Sequence, residues 1–211
     1  MRQLLPAILD TMATAKRIKR GVRCEACGKI APEYDTVTLL SEDRPQRCLC
    51  NACRNHEVAE RLGIANFQHP NFEPVSLPDS KGKVHHFRFC TRLFGPGVAI
   101  EAVEFRRGER RGYEFEVIGD PREDLFALFG RLLEKMRRGL ALRHLTQDTY
   151  GLRIGDEGVV RARIGYDKYA EGLPLLTIDG REITWHDLGR MLLTYEGWQF
   201  QLRILDMSEE L

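Results

Sequence analysis

Serine is scarce, with only four residues, at positions 41, 76, 80 and 208, and none lies in a G-x-S-x-G turn. That excludes the strained elbow on which α/β-hydrolases present a nucleophile. No G-x-x-x-x-G-K-[ST] loop occurs, and Gly95-Pro96-Gly97 opens no helix, so P-loop and dinucleotide fingerprints are missing too. Charge of one sign is also lacking: 32 Lys plus Arg stand against 31 Asp plus Glu. No global field therefore draws the chain to nucleic acid. No apolar run approaches the roughly 20 residues of a membrane span. The opening run, Met1 to Leu9, is too short for a signal h-region and is interrupted by Asp10. A cytoplasmic location and no membrane partner are expected, and a reducing compartment protects free thiols. The 211 residues, 43% hydrophobic and 30% charged, are enough for one or two globular domains with a core of ordinary size.

What the chain does have is cysteine in pairs. Cys24-Glu25-Ala26-Cys27 is followed, 22 residues later, by Cys50-Asn51-Ala52-Cys53. Two C-x2-C knuckles at this spacing place four thiolates around one tetrahedral Zn²⁺. With all four positions filled by cysteine, no place remains for water or substrate, so Cys24, Cys27, Cys50 and Cys53 read as ligands of one structural zinc ion. Four thiolates and one Zn²⁺ would shift the net charge by about minus two, leaving the chain near neutral. Two alternatives stand beside this: disulfides in a secreted chain, and His56, three residues after Cys53, in place of one thiolate. Cys48 reads as a spare thiol and Cys90 as a small buried hydrophobe.

Gly28 ends the first knuckle with a tight turn that aims amides at sulfur. Thr36 to Leu40 reads as a strand, Glu42-Asp43-Arg44-Pro45 as a turn, and Arg54 to Leu62 as a helix stopped by Gly63. Knuckle, hairpin and a helix carrying the last ligands make a treble-clef arrangement. Over residues 24 to 62 the chain resembles GATA-type fingers, whose second knuckle is also Cys-Asn-Ala-Cys. The loop between the knuckles is longer here, and the tryptophan-containing strand and basic tail of that family are missing, so DNA reading by the helix is not implied. The whole layout also resembles a bacterial family in which a zinc knuckle precedes an α+β domain, a likeness that implies no activity.

Leu4, Leu5, Ile8, Leu9 and Met12 recur at helical spacing, which predicts an amphipathic helix to about residue 20 that could dock on the zinc module or join two subunits. Lys16, Arg17, Lys19, Arg20 and Arg23 follow it. With Lys29 and Arg54 these cations could contact phosphates, or they simply complement the helix dipole in solvent.

Residues 68–83, with Pro70, Pro74, Pro78 and Gly82, read as a linker, dividing a segment 1–67 (helix and zinc module) from an α+β domain over 84–211. His85 to Leu93, Val98 to Phe105 and Tyr113 to Val117 read as strands, with a bulge where apolar parity slips between Ile100 and Val103. Asp120-Pro121-Arg122-Glu123 reads as a helix start, with Leu125, Leu128, Phe129, Leu132, Met136 and Leu140 as the buried stripe. Val160 to Tyr166 and Leu173 to Ile178 follow as strands, Thr184 caps a helix bearing Trp185, Leu188, Leu192 and Tyr195, and Phe200, Leu202 and Ile204 alternate as a last strand. Phe129-Gly130-Arg131-Leu132-Leu133 and Leu188-Gly189-Arg190-Met191-Leu192 match as a duplicated ββα unit would, or by coincidence, since Leu, Gly and Arg are common on helix faces.

The expected fold is thus α+β: a small four-cysteine, treble-clef-like zinc module, then a mostly antiparallel sheet with two helices packed on one face. His85 and His86 are adjacent on a strand, cannot share a metal, and read as edge-strand histidines. Asp120, Asp179 and Asp187 read as caps and turns, and Arg161, Arg163 and Arg203 as an outward face opposite Glu114 and Glu116. The leading functional reading is a zinc-binding, non-enzymatic binding or adaptor protein with a macromolecular partner, protein before nucleic acid. A nucleic-acid-binding regulator using residues 16 to 23 is the first alternative, and an enzyme with a site in the α+β domain the second.

Overall fold

In a computed structural model of the chain, the described residues are 21–41, 44–95, 97–149 and 151–206. The N-terminal helix, the cations at 16, 17, 19 and 20, and the subunit contact expected of that helix lie outside them. Among the described residues there are three α-helices and thirteen strands, and every strand pair is antiparallel, so the α+β class holds. No helix among them is long and apolar enough to cross a membrane.

Two hairpins open the described chain. β1 (Gly21–Arg23) pairs with β2 (Ile30–Pro32), and after a 3-10 turn over Glu33–Asp35, β3 (Thr36–Ser41) pairs with β4 (Arg44–Cys50). α1 (Asn51–Arg61) follows directly. It stops where Gly63 takes φ +65°, donating from its amide to Glu60 O while the Ile64 amide donates to Ala59 O. These two bonds are the Schellman pair that a left-handed glycine after the cap permits.

β5 (Val75–Pro78), β6 (Val84–Phe94), β7 (Gly97–Arg106) and β8 (Glu109–Gly119) form a four-stranded sheet in chain order. β5 lies within the stretch read as linker. Arg107 and Gly108, both at positive φ, close the β7–β8 hairpin as a type I′ turn needs. β7 is buried along most of its length, so its apolar parity does not alternate, and the bulge falls at Val103–Phe105, beyond the slip at Ile100–Val103. β6 pairs on both sides, so His85 and His86 do not lie on an edge strand.

α2 (Leu125–Ala141) starts four residues later than the Asp-Pro signal suggested: Asp124 is the cap, accepting from the Phe126 amide at 2.9 Å, while Asp120 closes a turn with the Arg122 amide. Its apolar stripe begins only at Leu125, so a turn earlier would have bared a polar face to the sheet. Leu128, Leu132, Met136 and Leu140 are buried against Phe87, Phe89, Leu93, Val98 and Ile100, each contributing roughly 1.5–3 kcal/mol by burial.

The C-terminal part has its own sheets and core. β9 (Leu145–Asp148) and β10 (Gly151–Ile154) form one hairpin, and β11 (Arg163–Tyr166), β12 (Pro174–Ile178) and β13 (Arg181–Thr184) form a sheet in that order. α3 (Trp185–Leu193) is capped by the Thr184 hydroxyl, which accepts from the Asp187 amide. Leu145, Ile154, Leu176, Ile178, Ile183 and Met191 form its apolar cluster. α2 therefore covers the four-stranded sheet and α3 the three-stranded one. The strand read from Val160 begins only at Arg163, and its Ile164 and Tyr166 are exposed. Phe200, Leu202 and Ile204 form no strand and are exposed as well, because no strand among the described residues pairs with them.

Candidate metal centre

The first knuckle hangs between β1 and β2. Gly28 takes φ +73°, and its amide donates to Cys24 O at 2.8 Å, which closes the turn. The second knuckle is built by a change of backbone state: Cys50 is the last residue of β4 and the N-cap of α1, and Cys53 rides on the first turn of the helix. The Sγ atoms of Cys24, Cys27, Cys50 and Cys53 all lie within 4.8 Å of one another, and Cys27 and Cys50 are 4.0 Å apart. Sulfurs at about 2.3 Å from a tetrahedral Zn²⁺ stand about 3.8 Å apart, so the cage has the right size for an ion.

The electrostatics fit the same use. Burial would raise the Cys24 thiol, but the amides of Cys50, Cys27 and Ala26 outweigh it and bring its pKa down to about 6. Burial raises Cys50 and Cys53; at Cys50 the Cys24 sulfur adds to the rise while Cys53 opposes it, and at Cys53 the sulfurs of Cys50, Cys27 and Cys24 all add to it. Four thiols packed together resist becoming four thiolates, a resistance that a bound dication removes. The donor set, four sulfurs and no open position, suits a structural ion.

The structure keeps the other candidates out of this cage. Cys48 lies two residues before Cys50, hence on the same side of β4, but its sulfur is not among the four that converge, and its amide and carbonyl bond Glu25. His56 pairs with Glu60 at 3.3 Å on the exposed face of α1. Cys90 is buried in β6, its pKa pushed by burial up to about 11, and its sulfur accepts from Asn51 Nδ2.

Asn51 and Asn55 are the polar residues that sequence reading missed. One helical turn apart on α1, both are fully buried. Asn51 Nδ2 donates to Asp35 Oδ1 at 2.9 Å. Asn55 Oδ1 accepts from the Leu93 amide while its Nδ2 reaches Thr91 O and His69 Nδ1. With the amide oriented by the Leu93 bond, His69 Nδ1 must be an acceptor, so His69 is neutral, as burial, which lowers its pKa, also favours. Burial raises Asp35 against the Asn51 bond. Arg54 turns its guanidinium to Leu93 O. The signal for all this was two asparagines on the helix face that also carries Val58. A polar cavity of about 240 Å³ lies beside them, lined by Tyr34, Asp35, His69 and Arg88 among others.

His85 was also misjudged. It is buried, its Nδ1 lying 2.8 Å from Glu104 Oε1 and its Nε2 3.3 Å from Asp79 Oδ2. Glu104 is gripped bidentately by Arg106 and accepts from the Tyr113 amide. Burial alone would raise both carboxyls, but these bonds, and at Asp79 the Lys81 and Lys83 amides, hold them below the usual range. Arg163 pairs with Glu114 at 2.7 Å, as the facing charges suggested. His86 is exposed and bonds Ser76.

No curated protein and no solved structure matches the chain. Three consecutive stretches match family models, each described as a domain of unknown function: residues 23–65 (DUF7685), which hold the four cysteines, 68–141 (DUF7686) and 144–209 (DUF7713).

Proposed function

We propose that the protein is a zinc-binding, non-enzymatic adaptor, whose four-cysteine module holds one structural zinc ion and offers a rigid surface to a protein partner. The observation that carries this reading is the cage itself: four cysteine sulfurs within 4.8 Å, with no fifth group joining them among the described residues. Four thiolates fill a tetrahedral ion completely, so the metal contributes folding free energy and no chemistry. Rigidity has a visible source, because Asn51, Arg54 and Asn55 tie α1 to β6 beside the cage. The module also leaves Ile30 and Leu40 exposed at its hairpins, the kind of apolar side chain that a protein partner covers.

Metal analysis of anaerobically purified protein is expected to give one zinc per chain, lost in Cys50→Ser. A stoichiometry near zero, iron in place of zinc, or full metal retention in Cys50→Ser would overturn the assignment. Screens against esters, phosphates and nucleotides should show no turnover that metal removal abolishes while the fold persists. Such a turnover would replace the structural reading with a catalytic one.

A further inference from the structure

The three-stranded sheet of the C-terminal part is cut short in the middle of its own apolar row. Ile183 on β13 pairs with Leu176 on β12, which pairs with Ile164 on β11. Directly paired residues share a face, and along this row exposure runs 4%, 6%, then 57%. Tyr166, two residues on and on the same face, is exposed too. β11 pairs with β12 on one side, and its other edge carries no strand among the described residues. An exposed edge with an uncovered apolar row accepts a further strand.

The chain carries a segment with the pattern of that missing strand. Trp198, Phe200, Leu202 and Ile204 alternate with Gln199, Gln201 and Arg203, a period of two that places four large apolar side chains on one face. All four are between 66% and 78% exposed, and the segment pairs with no strand among the described residues. Asp206, two residues past Ile204, adds to the raised pKa of Glu116 behind the larger effect of burial. Both β11 and the segment fall inside the single domain match over 144–209.

We propose that the protein is a homodimer in which residues 198–206 of each copy add as an edge strand to β11 of the other, setting Phe200 and Leu202 beside Ile164 and Tyr166. A second copy is the occupant because one chain presents both halves of the contact, a donor strand and an acceptor edge. A twofold axis then makes the two contacts identical and closes the assembly. The area is adequate: six side chains at these exposures, with aromatic rings burying about 150–250 Å² each, cover roughly 800 Å² per copy, which is about what each partner gives to a standard stable interface. The apolar row would continue from Ile183 through Leu176 and Ile164 into the exchanged strand, and four exposed aromatic or aliphatic side chains would leave water.

The test uses the full zinc-loaded chain. Sedimentation at micromolar concentration is expected to give twice the 24.3 kDa chain mass. Leu202→Asp and, separately, Ile164→Asp are expected to return the single-chain mass with zinc content unchanged. Both sites are exposed in one chain, so neither change removes a core contact. A photo-crosslinking residue in place of Tyr166, in a mixture of heavy- and light-isotope chains, is expected to yield crosslinked peptides of mixed isotope joining position 166 to 198–206. A monomeric parent overturns the proposal. So does a dimer that both aspartate variants leave intact, which would place the contact elsewhere, and so do crosslinks of single isotope only, which would mean that each tail folds onto its own sheet. Zinc content separates this result from the adaptor reading, since either can fail with the other standing.

Discussion

Glu104 stands between His85 and Arg106 with its side chain almost fully out of water. Removing one partner of a buried charge network leaves the others unpaired, at a cost of about 3–5 kcal/mol. Glu104→Gln is expected to lose stability of that order in urea unfolding, and an unchanged midpoint would refute the role. The sign of the pH dependence follows from the lowered carboxyls. Asp79 and Glu104 have folded pKa values below their ordinary 3.8 and 4.5. Their contribution is therefore complete above the ordinary range and is lost as pH falls through the lowered values, because the unfolded chain binds protons first. The parent's advantage over Glu104→Gln should be flat above about pH 5 and shrink steadily on acidification. An advantage that grew on acidification would mean the carboxyl is buried in its neutral form.

The helices differ in how locally they are specified. α3 begins where Thr184 and Asp187 place it, each bonding the other's end of the first turn. α2 begins at Asp124 and not at Asp120, although Asp120-Pro121 carried the stronger local signal, since the apolar stripe that the sheet buries begins only at Leu125. Asp124→Ala is expected to cost about 1 kcal/mol and Asp120→Ala less, a contrast that thermal melts of the two variants would show. Gly130 in α2 and Gly189 in α3 occupy helix interiors with open space where a Cβ would go. Each change to alanine is expected to stabilise by about 0.5–1 kcal/mol. Destabilisation at either site would point to a close approach in the assembled protein that one chain does not reveal.

Across the whole molecule, α1 couples the cysteine cage to the central sheet. Val58 and Ala59 belong to the same apolar cluster as Phe87, Leu93 and Leu132, and Asn55 holds the Leu93 amide. Cys50 and Cys53 lie at the first turn of that helix, so an ion held by the cage would pin the end from which these contacts are made. Chelation is expected to strip hydrogen-exchange protection from the amides of α1 and from Leu93 in β6. The amides of α3, whose cluster is separate, should keep theirs. Unchanged protection at Leu93 in metal-free protein would show that the sheet holds α1 without the cage.

The paired knuckles, the stop at Gly63, the cap at Thr184 and the stripe of α2 were legible in the amino-acid sequence alone. Each depends on residues a few positions apart, whose backbone preferences or spacing act before any long-range contact forms. The environments of His85, Asn51 and Asn55 were not legible. His85 meets Glu104 across 19 residues, and Asn55 meets the Leu93 amide across 38. A histidine or asparagine reads as a surface residue until distant strands close over it and supply the partners that make its burial affordable. The same holds for the parity of β7, which could not be read because its two faces are covered by elements the local pattern does not mention. Short-range chemistry determined the caps, the turns and the pairing of the knuckles, and only packing decided where α2 begins, which apolar stretches become strands and which polar groups went inside.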